Sequence, residues 1–534
     1  MPITTSLRSF LKNNLGLFIL LALIILITYL NILPNQLFFD DEELIYKNTY
    51  VADLGYFPKY FTSNMIEGAG KISNMYRPLL ITSFAIDHLI WGNNPIGYHL
   101  TSIFLHLANS WLIFSLLIIL IKNKSVSFLS ALLFGIHPAI SEAVIYASGR
   151  TDPLYFFWGL ISIICFILLF KTNKFNYLIY IISLVCFSIS FLIKETAVVI
   201  PFLSLISVLY KYPLRHNLRR LFILIVPFIL LIIGYILLRL TILNFSNTLN
   251  FYSGLSTDQI TQLYSSNIFI RLFTFTKVLF TYLMIIILPK ELAIARVPQV
   301  ITNISNFYVL LFFFSNLILF LASCIFLKKT RMPMFLFLWF YISFLPVSGI
   351  IPINNIIAEH YLYLPSLSFF LFFSILVTNL ITKTKHHIWL NNILKIILLI
   401  IIIGLSFRTI LRTFDWRDPI TFYSLSLKQS PRNIPIRHNL AMSYQDRGDL
   451  NLAINEYNNI ISLGDIYPQT RHNLGNAYKN LRKYSEAENE YKKALEIDPK
   501  FYFTYFELAD LYQKTGDKEK LNNITAIINK LNTK

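Results

Sequence analysis

Charge is what this sequence has least of: only 14% of its 534 residues are Asp, Glu, Lys or Arg, against 55% hydrophobic. That balance excludes a water-soluble globular chain and implies a polytopic membrane protein. Cysteine is nearly absent as well. Its 3 copies, Cys165, Cys186 and Cys324, lie within apolar runs without metal-ligand spacing. They read as small buried hydrophobes, and neither a disulfide framework nor a zinc site follows. Acidic residues number 28 against 46 Lys and Arg, for a net charge of +18. The basic excess falls in short clusters between apolar runs and not in one aromatic-interleaved stripe, so nucleic acid is not its partner.

What is abundant is apolar sequence in span-length pieces. Runs near 16–33, 98–121, 126–142, 153–170, 177–193, 197–210, 221–240, 307–327, 332–348, 364–381 and 390–411 suit membrane spans, which need roughly 20 residues for ~30 Å of hydrocarbon. The first run, preceded by Arg8 and Lys12, lacks a small-x-small cleavage site and reads as a retained signal anchor. Lys122/Lys124, Lys171/Lys174, Lys211/Arg215/Arg219/Arg220, Lys328/Lys329/Arg331 and Lys383/Lys385 occupy alternate connections, which the positive-inside rule makes cytoplasmic. Residues 268–289 are apolar enough to cross, but Arg271 and Lys277 interrupt them, and one more crossing would put Lys328, Lys329 and Arg331 outside. A helix lying in the interface or re-entering on the outer side is preferred, giving about 11 spans, with a twelfth span as the alternative.

Beyond about residue 411 the composition turns polar and repetitive. Leu440, Leu474 and Leu508 are 34 residues apart (474 − 440 and 508 − 474), as are Tyr444, Tyr478 and Tyr512; Ala453 with Tyr457 recurs as Ala487 with Tyr491. This period and small/aromatic pattern indicate tetratricopeptide helix pairs, with Asp498-Pro499 closing a unit. Stacks of this kind bind extended peptides on a concave face. The expected architecture is all-α: a helical membrane bundle over 1–411, then a repeat solenoid of about three units over 412–534 on the outer face.

Four charged constellations fall on outer connections. Asp40, Asp41, Glu42 and Glu43 follow the first span, in a long connection (about 34–97) with Lys71, Tyr76-Arg77-Pro78 and Asp87-His88; the plain reading is a solvated helix start. His137-Pro138, Glu142 and Gly149-Arg150-Thr151-Asp152 form the second. It reads as a capped polar turn or as an Arg placed for phosphate. Lys194-Glu195 interrupts an apolar run as a hairpin tip would, and Glu359-His360-Tyr361 precedes another span, where aromatic-belt anchoring accounts for the tyrosines. Convergence of all four on one face suggests a single site.

These motifs, in order, carry a resemblance. Phe39-Asp40-Asp41, Tyr76-Arg77-Pro78-Leu79, Trp91-Gly92-x-x-Pro95 with Tyr98-His99, His137-Pro138 with Glu142, Gly149-Arg150-x-Asp152, Lys194-Glu195, Glu359-x-Tyr361-Leu362-Tyr363-Leu364-Pro365-Ser366 and Phe414-Asp415-Trp416-Arg417 span the chain. It resembles the transmembrane and tetratricopeptide repeat-containing proteins, O-mannosyltransferase-like members of the GT-C glycosyltransferase superfamily, as a bacterial relative in the inner membrane. The resemblance implies transfer of mannose or another hexose from a polyprenyl-phosphate carrier, with inversion, to a polypeptide or other acceptor on the periplasmic or luminal face. It puts the catalytic carboxylate at Asp40 or Asp41. Substrate and phosphate binding are expected of Arg77, His137, Glu142, Arg150, Asp152, Lys194, Glu195, Glu359, His360 and Tyr361. One departure stands out: the family usually has Arg where this chain has His360, and a neutral His is a weaker phosphate anchor.

The chemistry fits the residues. A sugar phosphate carries its own leaving group, so what is needed is a base for the attacking hydroxyl and cations for the phosphate; Arg150, with Arg77 or Lys194, would supply the latter. The second carboxylate would orient the acceptor or raise the base's pKa. Metal ligation is not required by the spacing, and a divalent cation beside the carboxylates is left open. Two alternatives accompany this reading: a non-catalytic scaffold that binds partners through its repeats, and an oligosaccharide polymerase or ligase.

Overall fold

Asparagine decides where many of the helices begin. In the first unit the longer helices are α1 (Ile3–Tyr29), α2 (Pro78–Trp91), α3 (Pro95–Ile121), α4 (Lys124–Ile136), α5 (Thr151–Leu168), α6 (Tyr177–Ile193), α7 (Ile200–Lys211), α8 (Leu218–Leu240), α9 (Ile268–Ile287), α10 (Phe307–Phe326), α11 (Met332–Phe344), α12 (Ser366–Lys383) and α13 (Ile388–Asp415). Asn94, Asn123, Asn176, Asn267 and Asn306 each cap one of them, accepting a backbone N–H of the first turn of α3, α4, α6, α9 and α10. Each cap satisfies a donor that helix geometry orphans and contributes about 1 kcal/mol. The computed structural model describes residues 3–171, 175–212, 218–245, 259–290, 292, 296, 299–351, 355–464 and 467–532. Lys174 and Arg215 of the basic clusters lie outside these. Among the described residues every regular element is helical, and the chain divides into Met1–Trp416 and Arg417–Lys534.

Eight described helices are long and apolar enough to cross a bilayer, and Pro78–Trp91, Lys124–Ile136, Tyr177–Ile193 and Met332–Val347 are shorter apolar helices. The chain is a multi-pass membrane protein. One element differs from the sequence reading. α2 lies within the stretch taken as an outer connection, because Asp87 and His88 make a short apolar helix look like a loop. α9 is a continuous helix of 20 residues, the length of the twelfth span that was the alternative. Its Arg271 is absorbed by carbonyls, donating from Nε to Gly349 (2.6 Å) and from Nη1 to Ser265 (2.6 Å).

Small residues bring these helices together. Ser162 of α5 and Ser183 of α6 exchange hydroxyl-to-carbonyl hydrogen bonds, each 2.8 Å, and a Cβ on Gly159 would meet Ile200 Cδ1 at 2.7 Å. Lipid supplies no hydrophobic drive between helices, so close packing and such bonds must hold them. A buried polar set then fixes the turn ahead of α12. Tyr363 Oη meets His106 Nδ1 (2.9 Å) and accepts from Asn109 Nδ2 (3.1 Å), while Asn109 also donates to Pro153 O (2.8 Å). Tyr282 of α9 holds the other end, donating to Ala358 O and accepting from Ala358 N, both 3.1 Å. Between these pins lie Glu359, His360 and Tyr361.

The second unit begins with α14 (Pro419–Gln429) and continues as helix pairs: α15 (Ile434–Arg447) with α16 (Leu450–Ser462), α17 (Pro468–Asn480) with α18 (Tyr484–Ile497), and α19 (Phe503–Thr515) with α20 (Lys518–Asn532). Ala441, Ala453, Tyr457, Ile460 and Leu474 make one core and Ala487, Tyr491, Leu508, Leu511 and Tyr512 the next. The period extends to ion pairs, Arg437 with Glu456 and Arg471 with Glu490. It extends also to the turn after each first helix, where positions 448, 482 and 516 have φ of 90°, 61° and 74°. Two are Gly and the middle one is Arg482, which bears the steric cost of the left-handed region. Arg482→Gly should therefore stabilise the repeat unit by about 1 kcal/mol, read as a higher unfolding midpoint by thermal or denaturant melting; an unchanged or lower midpoint would contradict this.

Candidate active site

The acidic run is shaped by a backbone few residues tolerate. Phe39 has φ +63°, a left-handed conformation that costs a bulky residue of order 1–3 kcal/mol and persists only where neighbours hold it. Here aromatic rings do so: Phe39 lies 6.0 Å from Tyr146, Tyr146 5.1 Å from Trp416, and Trp416 6.2 Å from Phe38, between ring centres. Asp40 and Asp41 follow, leading into a wide π-helical turn over Glu42–Tyr46, an irregularity common at functional sites. The turn gives the two carboxyls different surroundings. Asp41 is 2% exposed, accepting 2.7 Å from the Ser148 N–H and a hydrogen bond from Ser148 Oγ. Asp40 is exposed. Glu42 and Glu43 pair at the surface with Lys47 and Lys71.

Both aspartates hold protons more tightly than ordinary carboxyls. Burial pushes Asp41 up to about 7, against the two hydrogen bonds from Ser148, with Asp40 adding to the rise and Arg150 opposing it. Asp40 is also raised, first by the protein crowded around it even though one side is open, and further by Glu43 and Glu142; Tyr146 and His360 oppose the shift. Openness combined with crowding describes a side chain in a cleft. The Tyr146 hydroxyl is close enough to influence Asp40 and Ser148, yet it makes no hydrogen bond of normal geometry among the described residues.

Around this turn, acid is matched to base. His360, a quarter exposed, has Nδ1 2.9 Å from Oε1 of buried Glu142. Lys194 donates to both oxygens of Asp152 at 2.7 and 2.8 Å, with its ammonium 5.8 Å from the Tyr361 ring; burial lowers its pKa and Asp152 opposes that. Arg77 reaches Glu195 at 3.4 Å. Glu359, 1% exposed, receives Arg412 at 3.3 Å and has Arg296 at 3.7 Å. Of the residues expected from sequence, Asp40, Asp41, Glu142 and His360 form one group, and Asp152, Lys194, Tyr361, Arg77 and Glu195 another. His360 and Tyr361, whose rings are 4.6 Å apart, join the two.

Two expectations change. Arg150 is wholly buried, paired with Asp87, donating from Nη2 to Tyr98 O (2.7 Å) and lying 4.9 Å from the Phe84 ring. It ties the Gly-Arg-Thr-Asp turn to α2 and offers no terminal nitrogen to a substrate phosphate. His137 is likewise committed: Nδ1 accepts from Ala139 N (3.1 Å), so Nε2 donates to Ile286 O (2.9 Å). Burial lowers its pKa to about 4, which makes it a neutral turn cap and not a phosphate ligand. Ser148, Arg412 and Trp416 were not among the expected site residues, though Trp416 carried a signal in the Phe-Asp-Trp-Arg motif; Asp87 was noted with His88 but not as the partner of Arg150. Among the described residues no three or more His, Cys, Asp or Glu side chains are grouped to hold a metal ion.

The tetratricopeptide-repeat family profile matches residues 468–501, and a second form of it 490–520. A protein O-mannosyl-transferase of Caenorhabditis elegans is 27% identical over 466 residues, covering 85% of this chain and 63% of the relative. Homo sapiens TMTC4, also named a protein O-mannosyl-transferase, is 24% identical over 78% of this chain and 62% of its own length. The homologues of this chain are the transmembrane and tetratricopeptide repeat-containing O-mannosyl-transferases. Homo sapiens TMTC2 of that family is 32% identical over 152 residues, 28% of this chain and 18% of the relative. The chain thus spans about 63% of the length of the Caenorhabditis elegans family member. Among solved structures, the archaeal oligosaccharyltransferase AglB from Archaeoglobus fulgidus, in complex with an inhibitory peptide and a dolichol-phosphate, aligns over 76% of this chain and 56% of its own, with a TM-score of 0.45 and 13% identity.

Lys194→Met should destabilise the membrane unit by about 3–5 kcal/mol, because Asp152 would be left as an unpaired buried charge. Lys194→Met with Asp152→Leu should recover most of that loss. Thermal melts of the detergent-solubilised chain decide it, and a double variant no better than the single would contradict the pairing argument.

Proposed function

We propose that the chain is a membrane glycosyltransferase that moves a hexose, mannose being the sugar its homologues are named for, from a polyprenyl-phosphate carrier to a hydroxyl of a polypeptide, with inversion. The observation that carries this reading is the pair of unlike carboxyls on a constrained turn: Asp40 exposed in a cleft, Asp41 buried behind it on Ser148. An exposed carboxylate with a raised pKa is suited to take the proton of an attacking hydroxyl, since a base works best with a pKa near the working pH. Asp40 is assigned that role. Asp41 supports it, because its negative charge beside Asp40 favours the proton on its neighbour. Negative charge in the cleft also favours the positive character that develops on the sugar's anomeric carbon as the phosphate departs.

The phosphate needs cations that reach the surface. Arg77, paired with part-exposed Glu195, meets the need better than Arg150, packed beneath α2, or Lys194, buried against both oxygens of Asp152. The leaving group departs as a phosphate ester already stable as an anion, so no strong acid is required. The spans would hold the lipid tail, and the repeats would recruit or present the polypeptide. The reading carries an orientation, with the Lys- and Arg-rich connections cytoplasmic and the acidic turn on the opposite, periplasmic or luminal side.

Transfer of labelled hexose from a panel of polyprenyl-phosphate sugars to membrane proteins tests the assignment. Asp40→Asn should lower the rate by about 10²–10⁴-fold while the protein still accumulates in the membrane. Equal transfer by Asp40→Asn, Asp41→Asn and the double variant would overturn the mechanism. The pH dependence has a definite sign: a base must be ionised, and Asp40 is raised by the protein crowded around it, so the rate should climb with pH and its acid limb should lie above the ordinary carboxylate range. Ser148→Ala removes a hydrogen bond that favours ionised Asp41; with Asp41 more often neutral its repulsion of Asp40 is weakened, and the limb should move to lower pH.

A further inference from the structure

Two connections meet at the acidic turn in a fixed register. Phe39 packs against Tyr146, with ring centres 6.0 Å apart, and Asp41 accepts from the backbone N–H and the hydroxyl of Ser148. These contacts, 39 with 146 and 41 with 148, bracket Asp40, and the Tyr146 hydroxyl lies beside its carboxyl. Tyr146 is itself firmly set. Its N–H closes the short helix Glu142–Ile145 on Glu142 O at 3.3 Å, and its ring centre is 5.1 Å from that of Trp416, which is 2% exposed. The ring also runs past Gly149, where a Cβ would stand 3.3 Å from Tyr146 Cδ1 and 2.9 Å from Glu142 O. A ring held on three sides aims its hydroxyl. That hydroxyl oxygen is buried and, among the described residues, meets no hydrogen-bond partner at normal geometry. Burial, with Asp40 and Asp41 adding, keeps its proton well above the ordinary tyrosine range, so it is a donor at any working pH. A buried donor short of an acceptor is costly, and catalytic hydrogen bonds that are long at rest tighten when substrate is seated.

We propose that Tyr146 is the positioning residue of the base: with an acceptor in the cleft, its hydroxyl donates to one carboxylate oxygen of Asp40 and so presents the other to the attacking hydroxyl. The proposal rests on the reading of Asp40 as the base. Tyr146 keeps its own proton throughout, and the acceptor's proton goes to the Asp40 oxygen that Tyr146 does not hold. Trp416 acts one step further back, by supporting the ring. A hydrogen bond to the ionised carboxyl favours that form, so Tyr146 opposes the rise that burial imposes on Asp40. Loss of the Tyr146 hydroxyl therefore makes the base ionise at higher pH, the reverse of the effect of Ser148→Ala. The charged groups facing Asp40 are Glu43 on its own turn, Asp41 beside it, and Glu142 and His360 from the other connections. Neither substitution alters any of them.

The test is transfer of labelled mannose from a short-chain prenyl phosphomannose to membrane proteins by the full chain, followed from about pH 5 to 9 across the titration of the base. Tyr146→Phe, which keeps the ring and its packing, should lower the rate at saturating donor by about tenfold, the effect of one hydrogen bond to a charged group. It should leave the donor KM within about twofold, since the residue acts on the base and not on donor binding, and it should move the acid limb to higher pH. A turn merely loosened would admit water to Asp40 and move the limb to lower pH in Tyr146→Phe as in Ser148→Ala, so opposite shifts distinguish aim from packing. Trp416→Leu should also slow transfer, and Trp416→Phe should recover most of it. A wild-type rate and limb in Tyr146→Phe, with Asp40→Asn inactive, would overturn the positioning role and leave the base assignment intact. A wild-type rate in Asp40→Asn would overturn the base assignment and the positioning role with it.

Discussion

A charge carried into the interior of a membrane-embedded bundle has to be met there, and the site side of the first unit is organised by that requirement. The pairs Asp87–Arg150, Asp152–Lys194, Arg77–Glu195 and Glu359–Arg412 join residues 63, 42, 118 and 53 positions apart. Each is a clip between a connection and a helix, or between two connections. Little net stability comes from such pairs, because desolvation consumes most of the attraction, but a mismatch is severely penalised. Together they leave the connections few arrangements other than the observed one.

Against that background the acidic turn is conspicuous for being left short of positive charge. Asp41 receives hydrogen bonds from Ser148 in place of a cation, and Asp40 is left open. A carboxylate neutralised by a close Arg would be a poor base, since its pKa would fall below the usual range. The same fold that pairs most other buried carboxylates on this side leaves these two without a cation, as the proposed base requires. The Arg150 guanidinium influences Asp41 only from a distance, through the packing beneath it.

Much of this was legible in the sequence, for physical reasons. Apolar length reports the bundle, and a period of 34 residues reports the repeats. Clusters of charge in otherwise apolar sequence report a site, because nothing else pays for them. Partnership was not legible: Arg150 looked available for phosphate because its partner Asp87 sits in a helix that reads as a loop. His137 looked available because a histidine capping its own turn and one facing a ligand have the same neighbours in sequence. Ser148 gave no signal, since a donor that matters only through its position is one serine among many. The partners of Arg271 were not legible either: it was treated as a charge needing water, whereas the chain's own carbonyls solvate it.

Phe39 invites a last consequence. Its left-handed backbone would suit glycine, and relief of that strain would favour the folded state. Yet the ring is one of the contacts that hold the turn, packed at a tilt against Tyr146 and, through it, Trp416. Backbone ease and ring packing therefore make opposite demands at this one position. Glycine there would relax the backbone and leave Tyr146 without a ring that braces it, so the turn carrying Asp40 and Asp41 is held by a residue that its own conformation disfavours.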